Sequence, residues 1–440
     1  MTLRAVLFAA LIAPPIAAQN LPRAITDDDY PPQRMEEAAL GQLLFYDPIL
    51  SGNRNIACAT CHHPAFATAD GLALGLGEGG VGLGPDRRVD PNHPPQKRIP
   101  RNAPALFNLG ASEFTVMFHD GRLEADATAP NGIRTPMDAD MVTGFASILS
   151  AQTMFPVLSR DEMAGDFNEN EVGRAVRQGL ITGEGGAWDI IANRVGNIPT
   201  YATAFQQVYP HINTPQDIAF TDISNAIAVF MAVEWRSDTA PFDQHLRGEV
   251  SLDAQTQRGM ELFYGAAKCA DCHSGPFQTD HLFHAMAAPQ IGPGKAATFE
   301  THNRDEGRFR VTGDPKDLYA FRTPSLRNVA LTRPYGHAGA HASLRSFVKD
   351  HLDPVEALNR FDPTNVQLPD FDAKDFNILD EPTDRQAISS AVTRAPLTLS
   401  ETQVDEIMAF LNALTDPVTI KGRMGVPRSV PSGLAVPNPE

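Results

Sequence analysis

Two copies of one five-residue pattern constrain this chain more than anything else in it. Cys58-Ala59-Thr60-Cys61-His62 and Cys269-Ala270-Asp271-Cys272-His273 both read C-x-x-C-H. Two thiols at this spacing can each add to a vinyl group of a haem, and the adjacent histidine then lies under the ring within reach of the iron. The two motifs use all four cysteines of the 440 residues. A four-cysteine zinc site has its pairs about 15–20 residues apart. Here most of a domain separates them, and both histidines would go unexplained. A thioredoxin-type redox pair accounts for one motif but not naturally for two. The pattern predicts two covalently attached c-type haems, held by Cys58, Cys61, Cys269 and Cys272, with His62 and His273 as proximal iron ligands.

The chain also echoes itself around these motifs. Gly41-Gln42-Leu43-Leu44-Phe45-Tyr46 precedes the first, and Gly259-Met260-Glu261-Leu262-Phe263-Tyr264 precedes the second. Pro104-Ala105-Leu106-Phe107-Asn108 followed by His119-Asp120-Gly121 is matched by Pro324-Ser325-Leu326-Arg327-Asn328 followed by His337-Ala338-Gly339. Each half reads helix, C-x-x-C-H, P-x-L-x-N, H-x-G, which predicts an internal duplication. Residues 33–46 and 221–235 have apolar spacing that predicts helices. Ser400 and Gln403 form a capping box, and Val404, Ile407, Met408, Leu411 and Leu414 make one apolar face of a final helix. Strand signals are weak. The fold class expected is mainly α, with two cytochrome c-like domains of one haem each.

Residues 1–18 carry Arg4, a short apolar core and Ala17-Ala18, the form of a cleaved secretory signal. No stretch is long enough to span a bilayer. The expected division is then 19–215 for the first haem domain, 216–416 for the second, and a 417–440 tail packing back on the first. A formal charge of −17 disfavours nucleic acid and anionic membranes as partners and favours a positively charged electron-transfer protein. Gly75-Leu76-Gly77-Glu78-Gly79-Gly80 matches G-x-G-x-x-G, but no strand precedes it, so a mobile loop near the first haem is expected instead. Residues 353–394, acidic and proline-containing, read as a long surface insertion.

These stretches resemble the bacterial dihaem cytochrome c peroxidase / MauG family. The resemblance is carried by Leu40-Gly41 to Pro48, Leu50-Ser51, both C-x-x-C-H motifs, Arg101-Asn102-Ala103-Pro104, Phe118-His119-Asp120-Gly121-Arg122, Glu162-Met163, and residues 321–335. It implies a periplasmic enzyme that reduces hydrogen peroxide to water at the N-terminal haem. Electrons would come through the C-terminal haem from a small donor protein, a cytochrome c or a cupredoxin. It further implies Glu162 as proton carrier, Gln152 as the group orienting peroxide and Pro156 between them. His93 would ligate the resting first haem. A calcium ion would be held by the Asn102 side chain and the Thr332 and Pro334 carbonyls, in a homodimer. His351 stands where members carry Met or Tyr, which implies a second haem ligated by His273 and His351. His119 stands where members carry an inter-haem Trp, so a route through Phe118 or His119, or direct tunnelling, has to serve. Two alternatives remain: MauG-like oxidation of residues in a partner protein, and a dihaem electron carrier without peroxide chemistry.

Overall fold

The computed structural model describes residues 21–296 and 300–439; the expected signal sequence lies outside them. Two helix pairs build the frame. Helix Met35–Tyr46 packs on helix Phe220–Glu234, and helix Ala254–Phe263 packs on helix Glu401–Asn412. The glycine opening each G-x-x-L-F-Y echo sits at the crossing. A Cβ on Gly41 would lie 1.8 Å from the Ala226 carbonyl oxygen, and one on Gly259 would lie 1.8 Å from that of Glu406. Only a residue without a side chain lets the backbones come this close. Four residues after each of these carbonyls comes an aromatic that closes the crossing, Phe230 and Phe410. Both are fully buried, as are Phe45 and Phe263. Burying side chains of this size contributes about 1.5–3 kcal/mol each.

The P-x-L-x-N asparagines finish both pairs in the same way. Asn108 and Asn328 are buried in the left-handed region at φ 62° and 60°, which asparagine tolerates better than most residues. The Asn108 amide donates to the Trp235 carbonyl at the end of one helix, and the Asn328 amide to the Leu414 carbonyl just past the end of the other. Their side chains meet at Ser237. Asn108 exchanges hydrogen bonds with the Ser237 backbone (2.9 and 2.6 Å), and Asn328 Nδ2 donates to its hydroxyl (3.0 Å). The repeated asparagines thus join the two halves.

Helix Phe220–Glu234 contributes its core residues to the same cluster as helix Met35–Tyr46. The helix thus shares its core with the first half. The tail returns to that half as well. Val430 is in its core, Ser432 Oγ donates to Asp47 (2.6 Å), and buried Glu234 accepts from the Arg423, Met424 and Gly425 amides.

Two expectations are corrected. Residues 353–394 are not a bare surface insertion, because Leu358, Ile378 and Ile388 form a small core with Ala287 and Tyr319. The glycine run is not a free loop. Residues 71–79 are buried, and the Arg87 guanidinium ties down the carbonyls of Leu76, Gly77 and Gly82. Strands are short: a three-stranded sheet (116–117, 123–125, 133–134) and two-stranded ribbons, one pairing Phe283–His284 with Phe321–Arg322.

Candidate active site

Each C-x-x-C-H closes one tight turn. The His62 amide donates to the Cys58 carbonyl (3.0 Å) and the His273 amide to that of Cys269 (2.9 Å). Both rings are then oriented from behind. His62 Nδ1 lies 2.9 Å from the Thr68 carbonyl, and His273 Nδ1 lies 3.2 Å from that of Gln278. Thr68 and Gln278 both have positive φ, 62° and 48°, which turns their carbonyls inward. The Pro104 and Pro324 carbonyls, from the P-x-L-x-N echoes, also face these rings. Burial lowers both imidazole pKa values, His273 to about 4. A neutral ring donating Nδ1–H to a carbonyl presents its Nε2 lone pair, the arrangement typical of a metal-ligating histidine. Burial also pushes the thiols of Cys58, Cys61 and Cys269 up to about 12, and all four cysteines are free.

The far sides of the two sites differ. Beside the second, a cavity of about 310 Å³ is lined by Cys269, Cys272, His273 and, from helix Leu344–Leu352, His351. His351 Nδ1 lies 2.8 Å from the Phe347 carbonyl, and its ring stands edge-on to Phe347. Its Nε2 is therefore the free end, and its charge would lower the His273 pKa further. Beside the first, the charged groups acting on Cys61 are Arg87, Asp70 and then Glu162; Asp70 caps its own turn at the Leu72 amide, which leaves Glu162 as the carboxyl outside that turn. It sits in a wide helical turn, Arg160–Ala164. The glycine run covers this turn: a Cβ on Gly77 would lie 2.7 Å from Glu162 Cα, and the Glu78 amide donates to the Asp161 carbonyl (3.0 Å). Burial raises the Glu162 pKa, opposed by the charges of Lys295 and Arg122. Gln152 lies in helix Ile148–Thr153, and Pro156 opens the turn that follows.

A family profile described as di-haem cytochrome c peroxidase matches residues 35–251. The methylamine utilization protein MauG of Methylorubrum extorquens is 29% identical over 331 residues, 75% of this chain and 72% of that protein. The cytochrome c peroxidase Ccp of Escherichia coli K12 is 32% identical over 321 residues, 72% of this chain and 53% of that protein. Among solved structures, the diheme peroxidase BthA of Burkholderia thailandensis E264 aligns over 96% of this chain and 97% of its own at a TM-score of 0.58 and 22% identity. The chain is thus similar to the di-haem cytochrome c peroxidases over most of its length. Two haems are what that family implies, and this chain has a donor set that fits them. Each site offers two free thiols and a carbonyl-oriented imidazole, and the second adds an apolar cavity with a facing imidazole.

The remaining expected residues fall in three places. His93 is half-exposed, with Nε2 3.4 Å from Glu169 Oε1, in a shallow surface pocket that also holds Glu78 and Asp166. The structure thus engages its ring with a carboxylate. Asn102, Thr332 and Pro334 line one cavity wall together. Asn102 Nδ2 donates to the Leu72 carbonyl (2.7 Å), which leaves its Oδ1 as the free oxygen a calcium ion prefers. His119 lines the same cavity, Nε2 3.2 Å from the Asn102 carbonyl, its pKa lowered to about 3 by burial and the Arg101 and His337 charges.

Sequence reasoning missed the network beneath this wall. Arg101 is clamped by Asp305 (2.7 and 2.8 Å) and Asp120 (2.8 Å), all buried. It also missed Asp280 and His284, paired at 2.8 Å beside Cys272. Arg101 and Asp120 stand in stretches that carry the resemblance, but nothing local joins them to each other or to Asp305, or Asp280 and His284 to Cys272; long-range packing assembles both groups. No helix among the described residues is long and apolar enough to cross a membrane.

Proposed function

We propose that this chain is an exported, periplasmic c-type enzyme that reduces hydrogen peroxide to water (H2O2 + 2 H⁺ + 2 e⁻ → 2 H2O) in its first half. The observation that carries the reading is the asymmetry of the far sides: a buried carboxyl, Glu162, at the first site and a facing histidine, His351, at the second. In this reading Cys58, Cys61, Cys269 and Cys272 form the thioethers, and His62, His273 and His351 are the iron ligands. The first haem, which Cys58, Cys61 and His62 would hold, would supply the redox-active iron for peroxide reduction.

The chain's own residues do the rest. Glu162 as carboxylate takes a proton from one peroxide oxygen and returns it to the other. A group of this kind contributes about 10²–10⁴-fold. Gln152 orients peroxide by its amide, and Pro156 fixes the turn between them. His351 would hold the second haem together with His273, and that haem would supply electron transfer from a small, positively charged donor protein. Asn102 Oδ1 with the Thr332 and Pro334 carbonyls holds calcium between the halves, and His93 leaves Glu169 when it ligates the resting first haem.

A MauG-like reading, oxidation of residues in a partner protein, is favoured by one observation: the second ligand is not methionine. One equivalent of peroxide added to the fully oxidised and half-reduced forms separates the two readings. Reaction only in the half-reduced form is the expected result for the peroxidase. Prompt reaction of the oxidised form, with a long-lived spectral change, moves the assignment to the partner-oxidising enzyme. No reaction in either leaves an electron carrier.

A further inference from the structure

The second cavity has an unbalanced wall. It is lined by Arg322, Arg327 and Arg394 and by no aspartate or glutamate among the described residues. Arg327 is neutralised from behind by buried Asp243 (2.7 Å). Arg394 donates to the Ala267 and Lys268 carbonyls. Among the described residues Arg322 has no carboxylate partner: Nε donates to the Phe118 carbonyl (3.2 Å) and Nη1 to that of Thr323 (3.5 Å). Burial alone lowers its pKa, to about 10, with no opposing charge. A guanidinium withdrawn from water without a counter-ion is costly.

His337 is unbalanced in the same place. It is only 6% exposed, it lines the same cavity, and among the described residues neither ring nitrogen has a hydrogen-bond partner, the nearby Asp305 charge being already clamped by Arg101. Its ring is stacked on Phe321, the strand neighbour of Arg322, at 3.7 Å and 11°. His119 feels the charges of both His337 and Arg322. A buried imidazole carries at least one N–H, and such groups nearly always have an acceptor.

We propose that Arg322 and His337 form a carboxylate-binding pair that takes a propionate of the second haem. The pair supplies a fork of N–H donors and a fixed ring donor, the chemistry a carboxylate matches. It also puts a positive charge beside the haem edge, which favours the reduced state. The inference rests on the two-haem reading, which a pyridine haemochrome assay tests separately by giving two haems per chain or fewer.

The experiment uses the haem-loaded protein and two readouts, the propionate bending band in the resonance Raman spectrum and the midpoint potential of the second haem. R322Q and H337F are each expected to shift the band. R322Q also lowers the midpoint, with a drop in the reduction equilibrium constant on the order of tenfold, and R322K restores part of it. The first haem's midpoint stays where it is. H337F keeps the stack on Phe321 and gives the same band test should R322Q lose haem. An unchanged band in variants that retain both haems overturns the proposal, leaving Arg322 as a brace for two carbonyls. So does a midpoint that follows added phosphate concentration, which would mean an exchangeable anion occupies the pair.

Discussion

In the first half His62 is turned by the Thr68 carbonyl, and in the second His273 is turned by that of Gln278. Gly41 and Gly259 admit the same carbonyl contact, and Asn108 and Asn328 cap the same helix ends. Beyond these shared parts the halves diverge. The first is completed by Glu162 under a buried glycine run, and the second by His351 on a helix. The duplicated frame places the two C-x-x-C-H turns alike, and on the proposed function the segment added on the far side sets the two sites apart. The far segments lie outside the echoed stretches, so they can change without disturbing the frame.

The sharpest break of this comparison is Glu162→Gln, which keeps shape and removes the proton acceptor. Peroxide turnover should fall about 10²–10⁴-fold with both haems retained. A loss under threefold would place proton transfer elsewhere. The pH profile sharpens the same point. Burial raises the Glu162 pKa above its ordinary 4.5, and the carboxylate is the active form. Turnover should therefore decline on acidification while the pH is still above 4.5.

Next in size is His351→Met. Methionine ligation raises a haem potential relative to histidine, so the second midpoint should rise while the first is unmoved. An unmoved second midpoint would show that His351 is not its ligand. Gly41→Ala and Gly259→Ala test the shared frame. Each forces a methyl against a backbone carbonyl, and each should cost about 1–3 kcal/mol in denaturant unfolding. A cost at one glycine alone would mean the crossings are not equivalent. The smallest effect belongs to Glu169→Gln, which removes the carboxylate facing half-exposed His93. Stability should change by about 0.2–1 kcal/mol at most. Ligation by His93 would show as a larger low-spin fraction at the first haem.

The attachment turns and the capping box at Ser400 were legible because each is local, with partners a few residues away, and the echoes because each repeats a contiguous run of sequence. Helix Phe220–Glu234 was legible as a helix but not as part of the first half, since its place is set by Gly41 and Asn108, both more than a hundred residues earlier. The glycine run reads as flexible in sequence and is buried in the structure, because Arg87 and the Glu162 turn supply the partners that glycines lack. Acidic and proline-rich composition hid the small core of Leu358, Ile378 and Ile388. At the site, the ring-orienting carbonyls of Thr68 and Gln278 carry no side-chain signature, and Arg322 shows its missing partner only once the cavity wall is assembled.

Carbon monoxide binding to the fully reduced protein tests the central asymmetry most directly. With His351 closing the second haem and the first open beside Glu162, one carbon monoxide should bind per two haems, rising to two in His351→Ala. Two per chain in the unaltered protein, or none, would contradict the account.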